Sequence, residues 1–149
     1  MSLSALAMEP PEPSRYVRVV KTFSRLELAL GALLGLFILF LALRGFVVPA
    51  EAARGFGIPV RDLSDLFYLR VKADRDLSSA AAIFLLIALR ERRALGAFVG
   101  VAAIQPLCDL TLSLADPRGR AGYAFAVHGS AALYCVVLAA LLLRPRVTR

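Results

Sequence analysis

The sequence predicts an all-α protein, a four-transmembrane-helix bundle with an interfacial or re-entrant segment between helices 1 and 2. Three observations predict it. The 149 residues are 59% hydrophobic and only 19% charged, with a mean hydropathy of +0.71, against about 25% charged residues in ordinary globular chains. Apolar runs recur at residues 26–48, 77–89, 94–115 and 121–143. Arginines gather at the ends of those runs, as membrane topology requires. The formal charge of +7 is therefore read as topology. No basic patch interleaves with exposed aromatics, so nucleic acid is not an expected partner; the lipid bilayer is.

Residues 1–24 are expected to form a flexible cytoplasmic tail, because Glu9-Pro10-Pro11-Glu12-Pro13 cannot be helical and has nothing to bury. The four-helix domain spans 25–144, and 145–149 form a C-terminal tail. Arg15, Arg18, Lys21 and Arg25 precede the first run, and Pro49-Ala50-Glu51-Ala52 follows it, an order similar to a secretory signal. A signal core is about 7–15 residues long, and the run at 26–48 exceeds that, so it is read as a membrane span. Glu27 and Arg44 bracket it. Gly31-x-x-x-Gly35 in this run, and Gly96-x-x-x-Gly100 in the third, let helices approach closely. They serve either packing within the bundle or a homo-oligomer.

Residues 51–69 change character. Arg54-Gly55-Phe56-Gly57-Ile58-Pro59 is turn chemistry. Asp62 or Ser64 then caps a helix with Leu63, Leu66, Phe67 and Val71 spaced for one apolar face. That helix continues into the second run, and Phe56, Phe67 and Tyr68 suit the water–lipid boundary. The second run ends at Arg90-Glu91-Arg92-Arg93. The third contains Gln105, Pro106 and Asp109 and ends in the turn Asp116-Pro117-Arg118-Gly119-Arg120; the fourth contains His128 and closes at Arg144. Arg15, Arg18, Lys21, Arg25, Arg90, Arg92, Arg93, Arg144, Arg146 and Arg149 fall on one side, more than half of the 18 Lys and Arg. Both termini are expected in the cytoplasm, in a multi-pass plasma-membrane protein of bacterial type. Cys108 and Cys135 lie inside apolar runs, with no disulfide or metal spacing. Cys108 is expected to be a small buried hydrophobe. No cofactor or metal is expected.

Depth gives the functional signal. A helix rises about 1.5 Å per residue across a core about 30 Å thick. Measured from the basic residue closing each span, Asp76 lies ~21 Å in from Arg90 and Arg75 ~22 Å. Asp109 lies ~24 Å in from Arg93, and His128 ~24 Å in from Arg144. Three spans thus place ionisable groups near one level. Such groups face the bundle interior and pair with each other: Arg75 with Asp76 or Asp109, and His128 with either carboxylate. Gln105 shares a face with Asp109, and Ala124, His128 and Ala131 leave room beside the imidazole. Leu41 and Ala42 supply an apolar wall at the same level.

Two readings follow. One is a membrane-embedded acid/base enzyme acting on a lipophilic small molecule, of isomerase, epoxide hydrolase or cyclase type. His128 is then the acid/base, Asp109 and Asp76 adjust it, Arg75 and Lys72 hold developing negative charge, and Lys72 and Gln105 contact substrate. The other is a non-catalytic membrane subunit or interaction module whose polar cluster only fixes packing. Transport ranks third, since Ser78, Ser79, Ser130 and Gln105 make a poor polar path below the cluster.

The string at 55–75 (Gly-Phe-Gly-Ile-Pro, then Tyr-Leu-Arg-Val-Lys-x-x-Arg) leads into Asp76. With Arg93-Ala94-Leu95-Gly96, Asp109 and Val127-His128-Gly129, it resembles a family of small four-helix membrane proteins of bacteria and fungi, known only as a domain of unknown function. The resemblance covers residues 26–143, with Lys72, Arg75, Asp76, Asp109 and His128 all matching its pattern. It implies a four-helix membrane bundle and supplies no reaction. Some fungal members resemble components of natural-product pathways, which implies chemistry on a lipophilic intermediate.

Overall fold

The computed structural model describes residues 23–56, 60, 62–116 and 121–145. Most of the N-terminal tail, Gly57-Ile58-Pro59, Pro117-Arg118-Gly119-Arg120 and the last four residues lie outside them. Among the described residues there are five helices and no strands. They are α1 (Arg25–Val47), α2 (Pro49–Phe56), α3 (Leu63–Ala88), α4 (Arg92–Ala115) and α5 (Ala121–Leu143). Three of them, α1, α4 and α5, are long and apolar enough to cross a membrane, which points to a multi-pass membrane protein. The fourth expected span, α3, stays outside that set because Arg70, Lys72, Asp74, Arg75 and Asp76 interrupt its apolar character. Leu33, Leu36, Phe40, Leu43, Leu112, Leu133 and Val136 are exposed on the outside, an apolar belt that water would not tolerate at this extent.

Each helix has a local cause. A capping box starts α1: the Ser24 hydroxyl accepts from the Glu27 amide at 3.2 Å, and the Glu27 carboxylate accepts from the Ser24 amide at 2.9 Å, satisfying two donors reciprocally. The turn expected at Arg54-Gly55-Phe56 is instead the last turn of α2. Pro49 opens that helix, where a missing N–H is harmless, and Glu51 and Arg54 pair across one turn at 3.6 Å. The helix α4 breaks at Ala103, because Pro106 has no N–H for the Ala102 carbonyl and its ring crowds that oxygen.

Asp62 caps α3 as expected. Its carboxylate accepts from the Ser64 hydroxyl and from the Ser64 and Asp65 amides. These bonds, the Ser64 hydroxyl first, hold its pKa below the usual carboxylate range. A lowered folded-state pKa means the cap is complete at neutral pH and is lost as pH falls through that lowered value. Amide exchange at Ser64 and Asp65 is therefore expected to quicken in that acid window. Asp62→Asn, which has no charge to lose, should show no such step.

The helices pack as two antiparallel pairs, α1 with α3 and α4 with α5. A Cβ added to Gly31 would meet Ile87, one on Gly35 would meet Phe84 and Ile83, and one on Gly45 would meet Ala73. Stepping one way along α1 thus steps the other way along α3. In the second pair Gly96 faces Leu142 and Leu143, and Gly100 faces Ala139. Gly31, Gly35 and Gly96 are buried in these contacts within the chain, whereas Gly100 is exposed beside Ala139. The helix pairs converge at the end where α1 begins, around Leu34, Ile83, Leu95, Val99, Leu138 and Leu142. Gly45→Ala should show how tight the first pair is. Its Cβ would lie 2.6 Å from the Ala73 Cβ, and forcing the backbones apart is expected to cost about 1–3 kcal/mol. Gly100→Ala, with 3.6 Å to the Ala139 Cβ, should be neutral or slightly stabilising, since helical Gly is about 0.5–1 kcal/mol worse than Ala. Thermal unfolding of the detergent-solubilised variants checks both.

Candidate functional site

Away from that convergence the two helix pairs leave a cavity of about 520 Å³, within the range of about 300–1,000 Å³ usual for small-molecule sites. Its walls come from all five helices and are mostly apolar, including Leu34, Phe37, Ile38, Leu41, Ile83 and Val99. Lys72, Asp76, Gln105, Asp109 and His128 also line it. Five of the six residues singled out from the sequence therefore share one cavity. Arg75 does not line it; its side chain is exposed. The reason is helical geometry. Lys72 and Asp76 are four residues apart and share a face, whereas Arg75 is turned about 100° from Asp76.

Asp76 is 8% exposed, and its Oδ2 accepts from the Lys72 ammonium at 2.8 Å. The expected neutralisation by Arg75 is thus replaced by a pair within one face of α3. By the pairing of Gly45 with Ala73, Asp76 lies opposite Ala42, which is fully buried. That is the apolar wall expected from the depth measurement. On α4 the break at Ala103 and the Pro106 ring precede Asp109, which is half-buried and faces the cavity from the C-terminal part of the helix.

His128 is 5% exposed and sits in a single π-helical turn, Phe125–Gly129, inside α5. Such turns widen the backbone ring by one residue and recur at functional sites. The His128 Nε2 lies 3.1 Å from the Phe56 carbonyl. A carbonyl can only accept, so Nε2 carries a proton and Nδ1 is the nitrogen able to take one. The Phe56 ring packs on the imidazole, with centroids 4.5 Å apart and tilted 56°. The Lys72 ammonium lies 5.8 Å from the centroid of that ring, within cation–π range.

Phe56 was read from the sequence only as a boundary aromatic. It is the centre of a cap. As the last residue of α2, its carbonyl has no partner further along the helix, and His128 supplies one. The Gly55 carbonyl takes the Tyr123 hydroxyl at 2.7 Å. One turn back in α2, beside Gly55, Arg44 donates to the Glu51 carbonyl at 3.0 Å. Tyr123 and Arg44 were not singled out as site residues, and no spacing rule marks them, because their partners are backbone oxygens of a short helix the sequence hides. Cys135 lines the cavity, whereas Cys108 is exposed on the outside of α4, against its expected burial. Among the described residues no group of three or more His, Cys, Asp or Glu side chains could hold a metal ion.

The arrangement combines a proton acceptor at His128 Nδ1, a carboxyl at Asp109, and a cation at Lys72 positioned by Asp76. All border an apolar space where water competes weakly. The family model described as domain of unknown function (DUF4267) matches residues 35–142, most of the stretch that carries the resemblance seen in the sequence. No curated protein and no solved structure matches the chain.

Proposed function

We propose that this chain, which belongs to the DUF4267 family, is a membrane-embedded acid/base enzyme acting on a lipophilic small molecule. One observation carries the reading: Lys72, Asp76, Asp109 and His128 converge on a single apolar cavity of about 520 Å³. His128 Nδ1 acts as the general base or acid, and Asp109 as the second proton carrier. The Lys72 ammonium, held by Asp76, stabilises negative charge developing on a substrate oxygen. Isomerisation, epoxide opening and cyclisation all need these parts. Arg75, exposed on α3, is left with no direct part.

The alternative, a non-catalytic subunit whose cluster only fixes packing, has a weaker basis in the bonding. A polar group that fixes packing bonds across helices. His128 does bond across helices, to the Phe56 carbonyl of α2, but the Lys72–Asp76 pair lies within α3, and among the described residues an ionic tie between helices stands away from the cluster, at Glu27 and Arg92.

In this reading α3 is a fourth crossing, since it pairs with α1 along the length of that apolar helix, and its 26 residues span ~39 Å. Both termini then lie on one side, the cytoplasmic side by its excess of arginine, with α2 at the opposite interface. Asp76→Asn, Asp109→Asn and His128→Gln, each in folded protein, are to be assayed against a panel of lipophilic ketones and epoxides. Turnover is expected to fall in all three; turnover that survives every one of them would sink the assignment.

A further inference from the structure

Building on the reading of this cavity as a ligand site, we propose that its ligand is a neutral single-chain amphiphile. The polar end sits under α2, and the tail runs down to Ile83 and Val99. The first argument is charge. Two cations, Arg44 and Lys72, and two carboxylates, Asp76 and Asp109, line the cavity. The Lys72 ammonium is already matched by Asp76 at 2.8 Å, and Arg44 donates to a carbonyl at the rim. With all four groups ionised their charges cancel, so the cavity as a whole favours neither an anionic nor a cationic head. What the polar end offers is hydrogen bonding: a His128 nitrogen, the Asp109 carboxyl and the Lys72 ammonium suit a hydroxyl or carbonyl oxygen.

The second argument is stratification. The charged groups all sit toward the α2 end, and the opposite end is closed by Leu34, Ile83 and Val99, all buried. From Gly45 to Leu34, both lining residues, the cavity runs ~16 Å along α1 at the helical rise. The third is shape. The helix pairs converge on the buried cluster that holds Leu34, Ile83 and Val99, which gives the space an apolar floor. That floor takes a tail, and the polar end takes the head.

The test uses the full chain in lipid nanodiscs and a dodecanol carrying a photoreactive diazirine near the end of its tail. After irradiation, adducts are mapped by mass spectrometry. Adducts are expected on Ile83, Val99 or Cys135, on the cavity floor. Unlabelled dodecanol at about ten times its Kd should lower their yield about tenfold, because only unoccupied sites react. Dodecanoate at the same concentration should leave the yield unchanged. If dodecanoate displaces the probe equally well, the assigned head chemistry is wrong while the cavity remains a ligand site. If adducts appear only on the outer belt, at residues such as Leu36 and Leu133, no ligand enters. This inference and the catalytic reading then fall together.

Discussion

Arg92→Leu is expected to destabilise the protein by about 3–5 kcal/mol, the usual cost of removing one member of a buried ion pair. Arg92 and Glu27 are 3% and 4% exposed. The guanidinium reaches Glu27 Oε1 at 2.8 Å through Nη2 and both carboxylate oxygens at 3.2 Å through Nε. Its remaining N–H groups donate to the Leu141 carbonyl at 2.8 Å and the Arg144 carbonyl at 3.1 Å, two of the orphan acceptors at the end of α5. One side chain thus joins the start of α1, the start of α4 and the end of α5. Removing it takes the guanidinium's bonds from a buried carboxylate and from carbonyls at the end of α5. Lysine should rescue little, since one ammonium cannot fork toward a carboxylate and two carbonyls at once. The double variant Glu27→Leu/Arg92→Leu should recover part of the loss, because the buried charge then disappears with its partner. Thermal unfolding in detergent reads all three. Full stability of Arg92→Leu would show that the clamp is dispensable.

This clamp was not legible in the sequence. Arg90, Arg92 and Arg93 stand in one basic turn and look alike as topology markers; only the seating of Gly96 against Leu142 decides which guanidinium is swallowed. The convergence of Asp76, Asp109 and His128 on one cavity was legible, because helical rise is constant and basic residues stand at one end of each of their helices. Depth alone points to Arg75 as a partner for Asp76 or Asp109 and carries nothing about azimuth. Spacing by four residues along α3 would have pointed to Lys72. Phe56 was obscured for another reason: Gly55, Gly57 and Pro59 read as a turn, and the helix leading into them depends on Arg44 and Tyr123 holding its carbonyls. The π-helical turn around His128 has no sequence signature, whereas the break in α4 could have been drawn from Pro106.

His128→Ala is expected to lower turnover by ~10²–10⁴-fold, the usual contribution of a positioned general acid or base. Alanine alone proves little, since it also empties a buried site and frees the Phe56 carbonyl. His128→Gln separates the roles. Its amide can still donate toward Phe56 O, now held at 3.1 Å by Nε2, but it has no nitrogen that takes up a proton near neutral pH. If His128 is the base, the glutamine variant keeps its melting temperature and its affinity for lipophilic ligands while kcat falls as far as in alanine. If His128 only pins α2 over the cavity, glutamine restores function and alanine does not. Phe56→Ala completes the argument from the other side of the contact. It removes the ring 4.5 Å from the imidazole but keeps the backbone carbonyl. It should therefore raise KM by loosening the cap, with a smaller effect on kcat than either change at His128. A catalytic site and a packing contact demand opposite outcomes from the same pair of substitutions at His128, so the comparison discriminates whichever substrate is found to turn over.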